Sequence, residues 1–165
     1  MITLVLGGAR SGKSGYAERL MAHHPLPITY LATTEVGDDP ELALRVALHR
    51  QSRPGHWRTE EAGLDLAMLL RETTGSVLLE SLGPWVARHP EGMVVDGADL
   101  CRALSERDGD TIVVSEEVGM GVLPSTEAGR RFRDALGSLN QEVAWAADRV
   151  LLVVAGRALS LDQRP

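Results

Sequence analysis

The chain has a single cysteine, Cys101, among 165 residues. No internal disulfide can therefore form, and the reading that follows is a reducing compartment with a buried apolar thiol. No apolar run reaches the length of a membrane span. The N-terminus enters an apolar run with no basic region or cleavage site before it, so a cytoplasmic protein without a membrane span is expected. No block of Lys or Arg stands out, and the formal net charge is -6. That balance argues against extended nucleic-acid binding while leaving room for a local basic pocket. Internal repeats and low-complexity tracts are missing too, and the stretch from Gly83 to Gly97 reads as a surface connection within one unit. With 44% hydrophobic and 24% charged residues, the composition is that of a compact globular protein, and its length suits one domain over 1–165.

What is present begins at residue 2. The apolar run Ile2–Leu6 leads directly into Gly7-Gly8-Ala9-Arg10-Ser11-Gly12-Lys13-Ser14, where two glycines bracket four residues ahead of Lys-Ser. This is the phosphate-binding loop pattern. Glycines let the backbone turn its N–H groups toward a polyphosphate, the following helix points its positive end there, and the lysine neutralises the outer phosphates. Ser14 would hold a magnesium ion. Apolar Tyr16, Ala17, Leu20 and Met21 then recur at helical spacing, which supplies the strand–loop–helix context that the motif requires.

Further short apolar runs occur at Ile28–Ala32, Val77–Leu79, Thr111–Val114 and Val150–Val154, separated by longer segments of helical periodicity. This alternation predicts a mostly parallel central sheet covered by helices on both faces; with the phosphate-binding loop ahead of it, the expectation is an α/β, P-loop NTPase (RecA-like) three-layer fold. Asp38-Asp39-Pro40 reads as the start of a helix from Glu41 to about Arg53, ended by Pro54. Ser125 reads as the cap of a long helix to about Ala147, with Phe132, Ala135, Leu139, Val143 and Ala146 as its buried stripe and Trp145 at its edge.

Ligands of such sheets gather beyond the carboxyl ends of the strands. There the sequence offers Ala32-Thr33-Thr34, whose hydroxyls can meet nucleotide oxygens or simply face water, and Glu80, an acid placed to hold magnesium. It also offers Ser115-Glu116-Glu117 ahead of Gly119-Met120-Gly121. For these last acids, metal ligation, general-base work and plain solvation stay open. Arg45, His49 and Arg53 share one helix face at four-residue spacing. Two guanidinium groups can hold a polyphosphate and favour a neutral imidazole between them, although the same spacing also describes a solvated basic stripe. His23-His24 sits at a helix end, where the helix pole suffices to explain it. Trp85, His56, Trp57 and Cys101 read as packing residues.

Taken together, these residues resemble the bifunctional adenosylcobinamide kinase and adenosylcobinamide-phosphate guanylyltransferase enzymes of cobalamin biosynthesis. The resemblance rests on Gly7 to Ser14, Tyr30-Leu31-Ala32-Thr33, and His49 with Arg53-Pro54-Gly55-His56-Trp57-Arg58-Thr59. It continues through Glu117-Val118-Gly119-Met120-Gly121, Arg130 to Asp134, Leu139-Asn140-Gln141, Ala146-Ala147-Asp148 and Val153 to Gly156. It implies phosphorylation of the aminopropanol hydroxyl of adenosylcobinamide with ATP or GTP. Transfer of GMP from GTP through a guanylyl-histidine then gives adenosylcobinamide-GDP. It implies His49 as the catalytic nucleophile, and nucleotide contacts at Gly7, Gly8, Ala9, Arg10, Ser11, Gly12, Lys13, Ser14, Ala32, Thr33, Thr34, Arg50, Gln51, Ser52, Arg53, Glu61 and Glu80. Magnesium would sit at Ser14 and Glu80, and the assembly would be a homo-oligomer, a trimer by resemblance. The chain departs from the family pattern at Ser81 and Gly83, where cysteine and threonine are usual, and at Glu116, where asparagine is. The rival readings are a chain keeping only one of the two activities, and a non-catalytic P-loop nucleotide-binding module.

Overall fold

The computed structural model describes residues 1–35, 37, 43–44, 46–47, 54–89 and 95–161. Its seven strands form one sheet: β1 (Ile2–Gly7), β2 (Ile28–Ala32), β3 (Arg58–Glu61), β4 (Ser76–Glu80), β5 (Thr111–Glu116), β6 (Arg149–Val154) and β7 (Arg157–Ser160). The spatial order is β3-β2-β4-β5-β1-β6-β7. Every neighbouring pair is parallel except β6 with β7. The helices are α1 (Lys13–Met21), α2 (Leu66–Glu72), α3 (Leu82–Ala87), α4 (Gly97–Glu106) and α5 (Glu127–Ala146).

The central strands are near-continuous apolar runs because both of their faces are covered. On one face Leu4, Leu31, Val77, Leu79 and Val113 pack against α2 to α5 through Leu66, Leu70, Leu82, Leu100, Leu104, Leu136 and Val143. On the other, Val5, Tyr30, Leu78, Ile112, Val114 and Leu151 pack against Ala17 and Met21 of α1 and against Trp57. The expected layered architecture is thus observed, and all five expected strands are present. β3 and β7 were not foreseen. Both are sheet edges whose residues are largely exposed, so they lack the apolar alternation that marks a strand in sequence.

Three details differ from expectation. The long helix is capped by Thr126, whose hydroxyl accepts from Gly129 N at 3.1 Å, and not by Ser125. Its buried face is Leu136, Leu139 and Val143, with Phe132 partly covered; Ala135 and Trp145 are exposed and Ala146 only half-buried. The stretch from Gly83 is not a surface connection throughout, because α3 buries Leu82, Gly83, Trp85 and Val86. Trp85 packs in the core as expected, with its indole N–H donating to Leu64 O at 3.1 Å. Of the expected helix 41–53, Ala43, Leu44, Val46 and Ala47 are helical, and the remaining positions lie outside the described residues.

The end of the sheet away from the strand carboxyl termini is tied by charge. Arg107 donates to the carbonyls of Thr73 and Gly75 at 3.1 and 2.7 Å and to Thr111 Oγ1 at 2.5 Å. Asp110 accepts from the N-terminal ammonium at 2.9 Å and pairs with His24 at 2.8 Å. His24 therefore has a structural partner besides the helix pole. No helix among the described residues is long and apolar enough to cross a membrane.

Candidate active site

β5 lies between β1 and β4, in register Gly7 to Glu116 on one side and Leu79 to Val113 on the other. The carboxyl ends of β1, β4 and β5 therefore open onto one crevice, and the phosphate loop forms its floor. The loop is closed at both shoulders: Glu117 N donates to Gly7 O at 3.1 Å and Gly156 N to Ser11 O at 2.8 Å. Gly12 adopts φ 89, a conformation that favours glycine. At Gly7 a Cβ would meet Ser11 Oγ at 2.5 Å and Val153 O at 2.8 Å, so only glycine lets the chain turn there.

Lys13 and Ser14 open α1. Lys13 is the only lysine in the chain and is almost buried, at 9% exposure. Its ammonium lies 3.5 Å from Gly8 O and 3.5 Å from Glu116 Oε1. Ser14 Oγ donates to Glu80 Oε1 at 2.5 Å. Glu80 Oε2 is shut off from solvent and has no hydrogen-bond partner among the described residues. Burial pushes the Glu80 carboxyl up to about 7; the Ser14 hydrogen bond opposes that rise, Glu116 adds to it and Lys13 opposes it.

A divalent cation fits this donor set. A hydroxyl and a carboxylate are the hard oxygen ligands that magnesium takes when substrate phosphates supply others, and an orphaned buried carboxylate oxygen marks where a cation would be welcome. Among the described residues no group of three or more His, Cys, Asp or Glu is placed to hold a metal without such help.

The structure brings Lys13, Ser14 and Glu80 together as expected, but it gives Thr33 a different part. Thr33 is fully buried. Its hydroxyl donates to Ser81 O at 2.6 Å and accepts from Ser81 N at 2.9 Å, while its amide donates to Glu80 O at 3.0 Å. The side chain thus fixes the Glu80–Ser81 backbone and is not left free for a ligand. Ala32 ends β2, Thr34 is half-buried beyond it, and Glu61 ends β3 opposite Ala32. Arg88 joins these ends, donating to Thr33 O at 3.1 Å and Ala62 O at 2.7 Å and pairing with Glu35. His49, Arg50, Gln51, Ser52 and Arg53, with Arg45, lie outside the described residues.

Of the acids left open in sequence, Glu117 caps the following turn by accepting from Gly119 N at 2.7 Å. Ser115 is buried and donates to Asn140 Oδ1 at 2.6 Å. Glu116 is the one that enters the site. Its carboxylate accepts from Ser81 Oγ at 2.8 Å and from Gly83 N at 2.9 Å as well as facing Lys13. Sequence reasoning did not separate it from its neighbours; Ser81, Gly83 and Glu116, the three positions read there as departures from the family pattern, touch one another here.

Residues 3–161 match the family described as cobinamide kinase / cobinamide phosphate guanyltransferase. The chain is 41% identical to the bifunctional adenosylcobalamin biosynthesis protein CobP of Pseudomonas aeruginosa, over 100% of this chain and 99% of that protein. It is 39% identical to the bifunctional adenosylcobalamin biosynthesis protein CobU of Salmonella typhimurium, over 94% and 97%. Among solved structures it is similar to the flagellar accessory protein FlaH of Methanocaldococcus jannaschii, with a TM-score of 0.53 at 14% identity over 99% of this chain and 78% of that one. It is also similar to an ATPase of the type III secretion system of pathogenic bacteria, with a TM-score of 0.54 at 11% identity over 96% and 57%. At such identities these likenesses speak to the fold alone, and the fold is that of the P-loop NTPases.

Proposed function

Since the chain belongs to the cobinamide kinase / cobinamide phosphate guanyltransferase family, an enzyme family of cobalamin biosynthesis, we propose that the crevice around Lys13, Ser14 and Glu80 binds the nucleotide for both transfers. One observation carries this reading. The sole lysine of the chain and a serine–glutamate pair with an orphaned buried oxygen converge above a loop in which glycines are sterically required.

In the kinase step the loop amides and Lys13 hold the terminal phosphates of ATP or GTP. The hydroxyl oxygen of adenosylcobinamide attacks the γ-phosphorus, the bond to the β-phosphate oxygen breaks, the nucleoside diphosphate leaves, and the hydroxyl proton passes to a base or to solvent. A magnesium ion held by Ser14 and Glu80 would neutralise charge on the phosphates. In the second step His49 is the nucleophile: its ring nitrogen bonds to the α-phosphorus of GTP and pyrophosphate departs. The phosphate of adenosylcobinamide phosphate then displaces the imidazole to form adenosylcobinamide-GDP. Arg50 to Arg53, with Glu61 and Ala32 to Thr34 at the neighbouring strand ends, complete the nucleotide contacts in this reading. A trimer and a cytoplasmic location belong to the same proposal.

The test is an assay of the purified protein with adenosylcobinamide and γ-labelled ATP or GTP, followed by unlabelled GTP. Lys13→Ala is expected to abolish label transfer to the corrinoid while the protein keeps its fold by circular dichroism. Unimpaired transfer by that variant contradicts the assignment.

A further inference from the structure

Glu116 is an anion in a crevice that must receive anions, and the structure holds it there by design of its surroundings. Both carboxylate oxygens are engaged, Oε1 by Ser81 Oγ at 2.8 Å and Oε2 by Gly83 N at 2.9 Å. Oε1 also faces Lys13 Nζ at 3.5 Å. Gly83 sits in the first turn of α3, where alanine would serve the helix better. A Cβ there would collide with Glu116 Oε2. The glycine is therefore the space into which the carboxylate fits.

The topology gives this anion one conspicuous target. β5 emerges between the phosphate loop and Glu80, so the last residue of β5 borders the place where a phosphate held by Lys13 would lie. Among the described residues Lys13 has only Gly8 O and Glu116 as acceptors, both at 3.5 Å. Resting on the phosphate-loop reading above, we propose that Glu116 is a positioning residue for Lys13. It holds the ammonium over the loop, competes with the incoming phosphates for it, and is admitted to the site by the missing side chain of Gly83. The competition limits nucleotide affinity, and the fixed ammonium speeds transfer.

The experiment measures binding of the α,β-methylene analogue of GTP with magnesium by calorimetry, and steady-state phosphorylation of adenosylcobinamide, for the full chain. Glu116→Gln keeps the shape and removes the charge. It is expected to bind the analogue about threefold more tightly, the size a partly exposed ion pair commands, while kcat falls roughly tenfold because the ammonium is no longer held. In a Lys13→Ala background the same substitution is expected to leave affinity unchanged. Gly83→Ala keeps the charge but evicts the carboxylate, so its affinity and kcat are expected to move in the same directions, with retained near-ultraviolet circular dichroism as the folding control. Weaker or unaltered binding by Glu116→Gln overturns the proposal. So does an equal gain with and without Lys13, which would make Glu116 act on the phosphates directly. If Lys13→Ala alone leaves affinity untouched, the phosphate-loop reading itself fails, an outcome distinct from failure of the Glu116 role.

Discussion

The Gly83 amide donates to Glu116 Oε2 at 2.9 Å, and the same oxygen occupies the space that a Cβ on residue 83 would need. A position on α3 and the last residue of β5 are thereby made interdependent, 33 residues apart in sequence. With Ser81 they form one contact cluster beside Lys13.

Stability should reveal that interdependence. Gly83→Ala displaces the flexible Glu116 carboxylate and breaks its hydrogen bond with the residue 83 amide, and is expected to cost about 1 kcal/mol, the usual net worth of such a bond. Glu116→Ala in the same chain should recover most of that cost, because the collision partner is gone. Denaturant unfolding of both single variants and the double variant measures the coupling; additive effects would show that the two residues do not share the space.

Glu80 is expected to separate activity from stability. Glu80→Gln keeps the acceptor for Ser14 but removes a buried charge that the site tolerates at the expense of its acidity. Thermal stability should stay the same or rise, while magnesium-dependent transfer should fall by roughly 100-fold, on the scale of losing one group that stabilises charge in the transition state. Thermal melts and initial rates across a magnesium titration provide both readings.

Acid sensitivity should map to the far end of the sheet. The N-terminal ammonium, and after it His24, hold the Asp110 carboxyl below its usual value. A carboxyl whose folded pKa is depressed adds stability above its unfolded pKa and loses it as pH falls through the folded one. The gap in melting temperature between the native chain and Asp110→Asn is therefore expected to be full near neutrality and to close between about pH 5 and pH 2. A gap that persists at the acid end would place the contribution elsewhere.

The buried stripe of α5 separates two readings of the same helix. Leu136 is fully buried, whereas Ala135 faces solvent. Leu136→Ala is expected to cost about 2–5 kcal/mol through the cavity it leaves, and Ala135→Ser to stay within about 0.5 kcal/mol, as measured by urea unfolding.

How much of this was legible in sequence follows from what each element buries. β1, β2, β4 and β5 announce themselves because strands covered on both faces must be apolar throughout, β6 does so through the apolar run Val150–Val154 although its ends are exposed, and the phosphate loop does so because its glycines answer local steric demands at Gly7 and Gly12. β3 and β7 are edge strands paired through their backbones, so their polar side chains carry no periodic trace. On α5 the spacing of apolar residues fixed the face only to within one position, and the larger Leu136 took the core where Ala135 had been expected. Thr33 was read through its hydroxyl, yet that hydroxyl is taken up by Ser81, a partner 48 residues away that no local pattern names. The same holds for Glu116, whose meaning depends on Gly83 and Lys13 converging from separate elements.

The proposal that one pocket serves both transfers stands or falls most directly on the covalent intermediate. The protein is incubated with magnesium and GTP labelled at the α-phosphate, and the protein-bound label is tested for stability in acid and base. The account predicts a stoichiometric adduct, acid-labile and base-stable as a phosphorus–nitrogen bond is, that is lost in both His49→Ala and Lys13→Ala. Label retained by the His49 variant, or an unlabelled native protein under conditions that support corrinoid phosphorylation, would contradict it.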